Sequence, residues 1–550
     1  MQRPSGFRGA FRTDLAARAL YAEGAGIFRI IPAAVAVPDD TDDLVCLVRW
    51  ARASGTPLVP RGAGSGMAGG NVGPDVVVDL TRALREAAAV DPARRAARCG
   101  AAITWREVNG AAQVHGLHLP PDPSSGAFCT LGGMVACNAA GARTLKYGAT
   151  RAWVEAVEFV TADGEIGRAD AADLRPETAT AAEQRARRDV APFLRLHQRT
   201  LEEHGVRTRK NSSGYCLTAA PDGGWMKHLV IGSEGTLVIV TAVELRLAPL
   251  PEERTTLLVT LGSLEAVAPA VLALAALDPS ALELLDRTYL DFVRAAAHAP
   301  VPAGTEAVLL VELEGPGRAA AAAVAGLATS TIVADDAGTV GKLWEIRHLA
   351  SPTLAALPDT MRSLQVIEDG CVPRERLGEY IAALRRLAGT HGFDVVIFGH
   401  AGDGHVHANV LADVTLPDVV ERLSALLADV SALQVELEGT LAGEHGDGRL
   451  RAPFLPDLLG EVAVEACRRV KRAFDPDGIL NPGVKIPPAD AVRALVPGTL
   501  KIGPAAPPLP PETAQLFRRI ERDAAWGAFR LDFAPEGAAS LAPSPITSHS

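Results

Sequence analysis

Cysteine is sparse in this 550-residue chain and is never arranged for a cluster. The seven residues, at positions 46, 99, 129, 137, 216, 371 and 467, form no C-x-x-C pair. An odd, scattered set fits reduced thiols rather than a disulfide framework, and its spacing excludes a ferredoxin-type iron–sulfur cluster within this chain. Apolar runs of the roughly 18 to 20 residues that span a bilayer are missing. Met1 to Arg8 lacks the apolar core and cleavage site of a secretory signal. Basic charge is not in excess: the formal net charge is −11 at pH 7, which argues against a nucleic-acid partner. No repeat of about 20 to 50 residues points to a solenoid. What remains is a large protein, 48% hydrophobic and 22% charged, long enough for roughly two to four domains. A cytoplasmic location is expected, with a peripheral position on the inner face of a membrane left open.

Glycine, by contrast, is concentrated. Arg61-Gly62-Ala63-Gly64-Ser65-Gly66-Met67-Ala68-Gly69-Gly70-Asn71 follows Pro57-Leu58-Val59-Pro60 and precedes Val76-Val77-Val78-Asp79-Leu80, a run that reads as a buried strand. So bare a stretch exposes successive backbone N–H groups as a nest for an anion, with glycine supplying positive φ. Arg61 adds positive charge. No Lys-Ser or Lys-Thr follows, so this is not a Walker A loop, and it does not open a βαβ unit as a Rossmann fingerprint does. Taken alone it is as readily a tight turn. Two further segments pair small residues with a few polar ones. One runs from Pro120-Pro121-Asp122-Pro123 through Thr130-Leu131-Gly132-Gly133-Met134-Val135-Ala136-Cys137-Asn138-Ala139-Ala140-Gly141 to Tyr147-Gly148; the other is Ile231-Gly232-Ser233-Glu234-Gly235-Thr236-Leu237.

In this order the three segments resemble the flavoprotein family typified by vanillyl-alcohol oxidase and p-cresol methylhydroxylase, and within it the D-lactate, glycolate and D-2-hydroxyglutarate dehydrogenases, over roughly residues 10 to 487. The resemblance implies FAD. It places Pro60, Arg61, Gly62, Ala63, Gly64, Ser65, Gly66, Gly70 and Asn71 on the pyrophosphate. Pro121, Asp122, Thr130, Gly132, Gly133, Ala136, Asn138, Gly141, Tyr147 and Gly148 would lie along the rest of the dinucleotide, with Glu234 and Gly235 near its adenosine half. Members that bind flavin covalently often carry His in the first loop. This loop has none, so FAD is expected to be held without a covalent bond.

The second half carries titratable groups. Phe398-Gly399-His400-Ala401-Gly402-Asp403-Gly404-His405-Val406-His407-Ala408-Asn409 is followed by Gly443-Glu444-His445-Gly446-Asp447-Gly448. Two His and one Glu with a position left open is the arrangement of a catalytic rather than a structural zinc site. Val395 to Phe398 reads as a strand delivering His400, Ala401 to Gly404 as a turn, and His405 and His407 as same-side residues of the next strand. The family pattern maps the ligands onto His400, His407 and Glu444. This chain departs from it with His405 where Asn is usual, which leaves His405 as a replacement ligand, an outer partner or a solvent-facing residue. The metal is expected to be divalent, with Zn favoured and Mn, Fe and Co open.

By the same resemblance His445 is the catalytic base. Oxidising a 2-hydroxy acid requires loss of the hydroxyl proton and transfer of the α-hydrogen as hydride to flavin N5; a metal on the hydroxyl lowers its pKa, and a neutral imidazole suits the proton. Arg347, in Trp344-Glu345-Ile346-Arg347-His348, matches the family's substrate-carboxylate Arg, as the bidentate chemistry of guanidinium requires. Arg362 falls near where members acting on dicarboxylates place another cation; its plain reading is a surface arginine. Phe474-Asp475-Pro476-Asp477-Gly478-Ile479-Leu480-Asn481-Pro482-Gly483 reads as a double turn, and the resemblance sets Asn481 near the flavin ring, with Asp475 and Pro482 structural.

Punctuation and periodicity divide the chain into a helical lead-in (1–35, with Leu15, Ala19 and Leu20 on one face), an FAD-binding domain (36–248), a substrate domain (249–465), a return segment to the flavin (466–487) and a Pro-rich tail (488–550) holding a short helix and about 15 disordered residues at its end. The fold implied is α+β: a two-part p-cresol methylhydroxylase-type FAD-binding domain plus an antiparallel sheet covered by helices. The expected activity is FAD-dependent oxidation of a D-2-hydroxy acid to the 2-oxo acid with metal-assisted deprotonation. Electrons would leave to a quinone, a cytochrome, an electron-transfer flavoprotein, oxygen or an iron–sulfur subunit in trans, and a homodimer is left open. The alternatives are a non-oxidative flavoenzyme of the alkyl-dihydroxyacetone-phosphate synthase type, a non-catalytic flavin-binding subunit, and a metallohydrolase that would leave the glycine loops unexplained.

Overall fold

The computed structural model describes residues 1–172, 179–218, 224–294, 301–349, 353–354, 357–358, 360–487, 491–523 and 525–536. Val76, Val77 and Val78 are buried because their strand, Val76–Asp79, lies inside a mixed sheet with parallel neighbours on both sides. The strand order is Ala10–Arg12, Ala34–Val37, Val76–Asp79, Leu58–Arg61, the first antiparallel. Helix Thr41–Ser54 covers one face; Asp40 caps it by accepting from Asp43 N, and Gly55 ends it at φ 63°. The return segment closes the sheet edge, with Leu58 N donating to Ile479 O at 2.7 Å and Asn481 N donating to Leu58 O at 2.8 Å.

A second, antiparallel sheet runs Ala89–Asp91, Ala96–Gly100, Val238–Arg246, Val154–Thr161, Ile166–Asp170. The glycine-rich loop after Leu58–Arg61 faces its near side. The substrate domain is a larger antiparallel sheet in the order Ser330–Ala334, Thr255–Leu261, Ala307–Leu313, Ala281–Asp286, Asp394–Gly399, His405–Asp413, Met361–Leu364. Its Leu/Val alternation is buried on one face under helices Val267–Ala275, Leu377–Thr390 and Val419–Glu436. The α+β expectation and the antiparallel substrate domain hold.

Two expectations are corrected. The lead-in is not mainly helical: Ala10–Arg12 is an edge strand, the helix is only Leu15–Leu20, and the 35/36 boundary cuts the strand Ala34–Val37. Asp14 starts that helix and leaves Leu15, its first residue, 55% exposed while Ala19 and Leu20 are buried. The tail, secondly, does more than hold a short helix: described residues between 509 and 534 add side chains to the core. Helix Pro511–Arg522 packs Leu516, Phe517 and Ile520 on Leu20, Tyr21, Val35 and Val59, covering the second face of the first sheet. The segment expected to be disordered, 537–550, lies outside the described residues.

Ile520 is fully buried in that contact, so Ile520→Ala is expected to cost about 2–5 kcal/mol, measurable as a lowered midpoint of chemical denaturation.

Candidate active site

Pro60 to Gly66, Gly70 and Asn71 line one groove together with Thr130, Gly132, Gly133, Ala136, Glu234 and Gly235. The loops meet closely: a Cβ on Gly62 would stand 2.5 Å from Thr130 Oγ1, and Gly64 takes φ +79°, so only glycine lets the backbone pass. Arg61 is not an open charge beside the loop. It is buried, donates to Glu23 O at 2.8 Å and to Tyr21 O and Asn71 O at 3.3 Å, and lashes the loop to the N-terminal segment.

Other residues expected on the dinucleotide stand off from this groove. Asn138 ends helix Leu131–Cys137 in the left-handed region, and its Oδ1 accepts from Arg151 N at 2.9 Å. Tyr147 turns its hydroxyl to Glu314 and its ring to His118 and Trp153, Gly148 caps the helix Thr144–Tyr147, and Pro121 is buried. Asp122 and Gly141 line the neighbouring cavity instead. Asn481 is buried and braces two loops, donating from Nδ2 to Gly70 O and Glu234 O, each at 2.8 Å.

That neighbouring cavity shares Met67, Ser124, Glu444 and His445 with the groove and also carries His400, His407, Arg347 and Arg362. His400 Nε2 lies 3.3 Å from both His407 Nε2 and Glu444 Oε1, and His407 Nε2 is 3.3 Å from the same Glu444 oxygen. Their outer nitrogens are engaged, His400 Nδ1 with Glu283 Oε1 at 2.6 Å and His407 Nδ1 with Glu368 O at 3.1 Å, so both inner nitrogens point to one spot, as in metal-ligating histidines. This donor set fits a divalent cation. His405 is fully buried behind it: its Nε2 bonds Asp369 Oδ1 at 2.9 Å, and Nδ1 has no hydrogen-bond partner among the described residues. His407 therefore, rather than His405, presents its nitrogen to both His400 and Glu444.

Charge is tightly compensated. Burial pushes His407 down to about 3. Burial also opposes charge on His400, but Glu283 outweighs it and raises His400 to about 9. Glu444 is buried, yet Lys210, whose Nζ donates to Oε2 at 3.0 Å, and His400 hold its carboxyl well below the ordinary range. His445 stacks on His407 with centroids 5.3 Å apart, and its Nδ1 is 3.2 Å from Glu368 Oε1. Although burial opposes its imidazolium, Asp369 and Glu368 raise it to about 9. Two carboxylates facing the ring thus favour its charged form.

Arg347 shares Glu283 with His400, its Nε donating to Oε2 at 2.9 Å, and stacks over Phe398 at 4.6 Å. Arg362 is not a bare surface residue: it lines the cavity, 3.9 Å from Glu521. Apart from Glu234, which the resemblance set near the adenosine half of the dinucleotide, the buried partners are residues that sequence reasoning missed. Asp369 accepts from the backbone N of Glu444 at 3.1 Å and of His445 at 2.9 Å; Glu234 accepts from Asp447 N and Gly448 N at 2.8 Å; Lys485 joins Glu234 and Asp447 at 3.1 and 2.9 Å. Carboxylates inside apolar runs, Glu283 in Ala281–Asp286 and Glu368-Asp369 after Leu364 to Ile367, were the available signal.

A glycine-lined groove thus meets a His/Glu cluster of the second domain at one imidazole, the layout expected of a flavoprotein. The profile of the FAD binding domain matches residues 32–170, and that of FAD linked oxidases, C-terminal domain, matches 250–484. The chain is 31% identical over 480 residues to the glycolate oxidase subunit GlcD of Bacillus subtilis, covering 85% of this chain and 92% of that protein. It is 31% identical over 457 residues to the D-lactate dehydrogenase of Archaeoglobus fulgidus, covering 82% and 90%. The solved 4-ethylphenol oxidase of Gulosibacter chungangensis, in its isoeugenol complex, shares the fold at TM-score 0.64 and 15% identity, over 87% of this chain and 94% of that one. The chain belongs to the FAD-linked oxidase family and is an FAD-dependent oxidoreductase. Among the described residues no helix is long and apolar enough to cross a membrane.

Lys485→Met leaves Glu234 and Asp447 buried without their shared cation and is expected to cost about 3–5 kcal/mol, read as a lowered unfolding midpoint together with loss of the flavin site's order.

Proposed function

We propose that the protein oxidises a D-2-hydroxy acid of the lactate, glycolate or 2-hydroxyglutarate type to the 2-oxo acid. The observation that carries this reading is the position of His445, which together with Glu444 belongs both to the glycine-lined groove and to the cavity with His400 and His407. FAD in the groove would supply the hydride acceptor, held by the backbone of Gly62 to Gly66 and by Thr130, Gly132 and Gly133. Cys137 and Cys129 line the groove as protonated thiols, burial pushing them up to about 12 and 11, which favours flavin held without a thioether. A divalent cation on His400, His407 and Glu444, Zn by preference, would supply Lewis acidity to the hydroxyl and oppose protonation of His445. Arg347 is fixed by Glu283 as a fork for the substrate carboxylate, and His445, oriented by Glu368, would take the hydroxyl proton once the cation holds its imidazole neutral. All seven cysteines are free, so electrons would leave to an external acceptor such as a quinone, a cytochrome, an electron-transfer flavoprotein or an iron–sulfur subunit. A relative named as an oxidase subunit favours an acceptor in trans.

The test is the anaerobic visible spectrum of the holoenzyme. D-lactate, glycolate or D-2-hydroxyglutarate is expected to bleach the flavin band, and a band that none of them bleaches refutes the proposal. His445→Ala is expected to slow flavin reduction roughly 10²- to 10⁴-fold with FAD content unchanged; reduction at close to the wild-type rate removes His445 from the role of base. Elemental analysis should find about one divalent ion per chain, lost in His407→Ala, and a fully active protein free of metal would remove that part.

A further inference from the structure

A separate cavity opens behind the turn that carries His445. It holds about 430 Å³, the size of a small-molecule site. Among the described residues it shares no lining with the glycine-rich groove or with the histidine cavity. Two thin walls place it. In the first, Gly232 N donates to Val135 O at 2.9 Å and Glu234 N to Ala136 O at 2.8 Å. Ala136, Cys137 and Glu234 face the groove, whereas Asn138 and Gly232, on the same two segments, face the cavity. A Cβ on Gly232 would stand 3.2 Å from Arg151 Nη2 and 3.5 Å from Asn138 Cβ, so glycine keeps this wall one chain thick. In the second, Ser212 N donates to Ala442 O at 2.7 Å and Gly214 N to Asp447 Oδ2 at 2.8 Å. The segment that lines the cavity therefore lies against the back of the turn from Glu444 to Gly448.

The lining is apolar around one cation. Leu201, Val206, Leu217 and Val462 supply apolar surface. Arg151 donates to His228 O and, at 2.5 Å, to Ile231 O, and among the described residues no carboxylate pairs with it. A guanidinium whose partners are carbonyl oxygens keeps its charge for a group that gains electron density. Apolar walls disfavour an occupant that is charged from the start. An uncharged ring bearing carbonyl oxygens, which becomes electron-rich on reduction, meets both conditions.

Resting on the proposed hydroxy-acid oxidation, we infer that this cavity receives a quinone, which takes up the electrons at a site separate from that of the acid. The acid loses its O–H and α C–H bonds and gains a C=O bond; the two electrons and two protons released end on the two ring oxygens, and the quinone becomes the quinol. Because the two cavities share no lining, acid and quinone are held at the same time, and the 2-oxo acid need not leave before the quinone is reduced.

The test uses the holoenzyme and ubiquinone-1, whose fully substituted ring does not add to thiols. Cys216 is half-buried and lines the cavity, and Cys46, half-buried elsewhere, is the internal control. Saturating ubiquinone-1 is expected to slow maleimide labelling of Cys216 roughly tenfold or more, with Cys46 labelled as before and D-lactate protecting neither. Val462→Trp and, from another helix, Thr200→Trp fill the cavity. Each should abolish the protection and raise the KM for ubiquinone-1 about tenfold or more, with bleaching of the flavin band by the hydroxy acid and turnover with ferricyanide unchanged. Labelling of Cys216 at the same rate with and without the quinone overturns the site. Protection without reduction of the quinone, or a wild-type KM in both variants, overturns its role as acceptor site. Protection of Cys216 in a protein whose flavin no hydroxy acid bleaches overturns the oxidation instead.

Discussion

The turn from Glu444 to Gly448 is held by two buried carboxylates from different domains, and the catalytic geometry depends on that double clamp. Asp369, from the substrate domain, takes the backbone N–H groups of Glu444 and His445, and Glu234, from the flavin domain, takes those of Asp447 and Gly448. A carboxylate accepting backbone N–H groups in a dry site is strong and specific, but it is costly if left bare. Lys485 and Arg451 remove that cost by pairing with Glu234, Asp447 and Glu368. The clamp is thus the seam between domains: moving one relative to the other by an ångström would break charged hydrogen bonds at both ends of a five-residue turn.

This seam explains why the His/Glu cluster and the glycine-lined groove share one imidazole. Glu444 points back to His400 and His407, His445 turns to the junction, and Gly446 and Gly448 take φ of +80° and +53° so that the chain can reverse within the turn. Lys210 finishes the arrangement from below, its Nζ shared between Glu444 and Gly141 O. One carboxylate oxygen of Glu444 is consumed by Lys210 and the other is left facing the histidines, which makes Glu444 a directional donor rather than a free acid.

Much of this was legible in residues whose chemistry is local. The glycine loop, the strand delivering His400 and the same-side placement of His405 and His407 follow from backbone rules that operate over a few residues. What stayed hidden was long-range. That Asn481 braces Gly70 and Glu234, that Asp369 engages Nε2 of His405, and that Glu283 serves Arg347 and His400 at once depend on contacts 36 to 411 residues apart in sequence, which no periodicity encodes. The lead-in strand and the packing of the tail helix were hidden for the same reason: Ala10–Arg12 is a strand because Ala34–Val37 is beside it, and Leu516, Phe517 and Ile520 are core because Tyr21 and Val35 are beneath them.

The opposition between global and local charge bears on how an anion is captured. The chain carries a formal net charge of −11, so at long range it repels the hydroxy acids proposed as its substrates. Salt confines that repulsion to about 8 Å at physiological ionic strength, and inside the cavity the lining reverses the sign: Arg347 near the histidines and Arg362 with Lys501 near the tail stand over low-dielectric walls of Trp344, Phe398 and Phe517. Recognition of such an acid would therefore be a short-range property of a few guanidinium and ammonium groups held by Glu283 and Glu521. Their carboxylate partners do two things at once: they keep the cations affordable in the absence of substrate, and they set how strongly an incoming anion must compete.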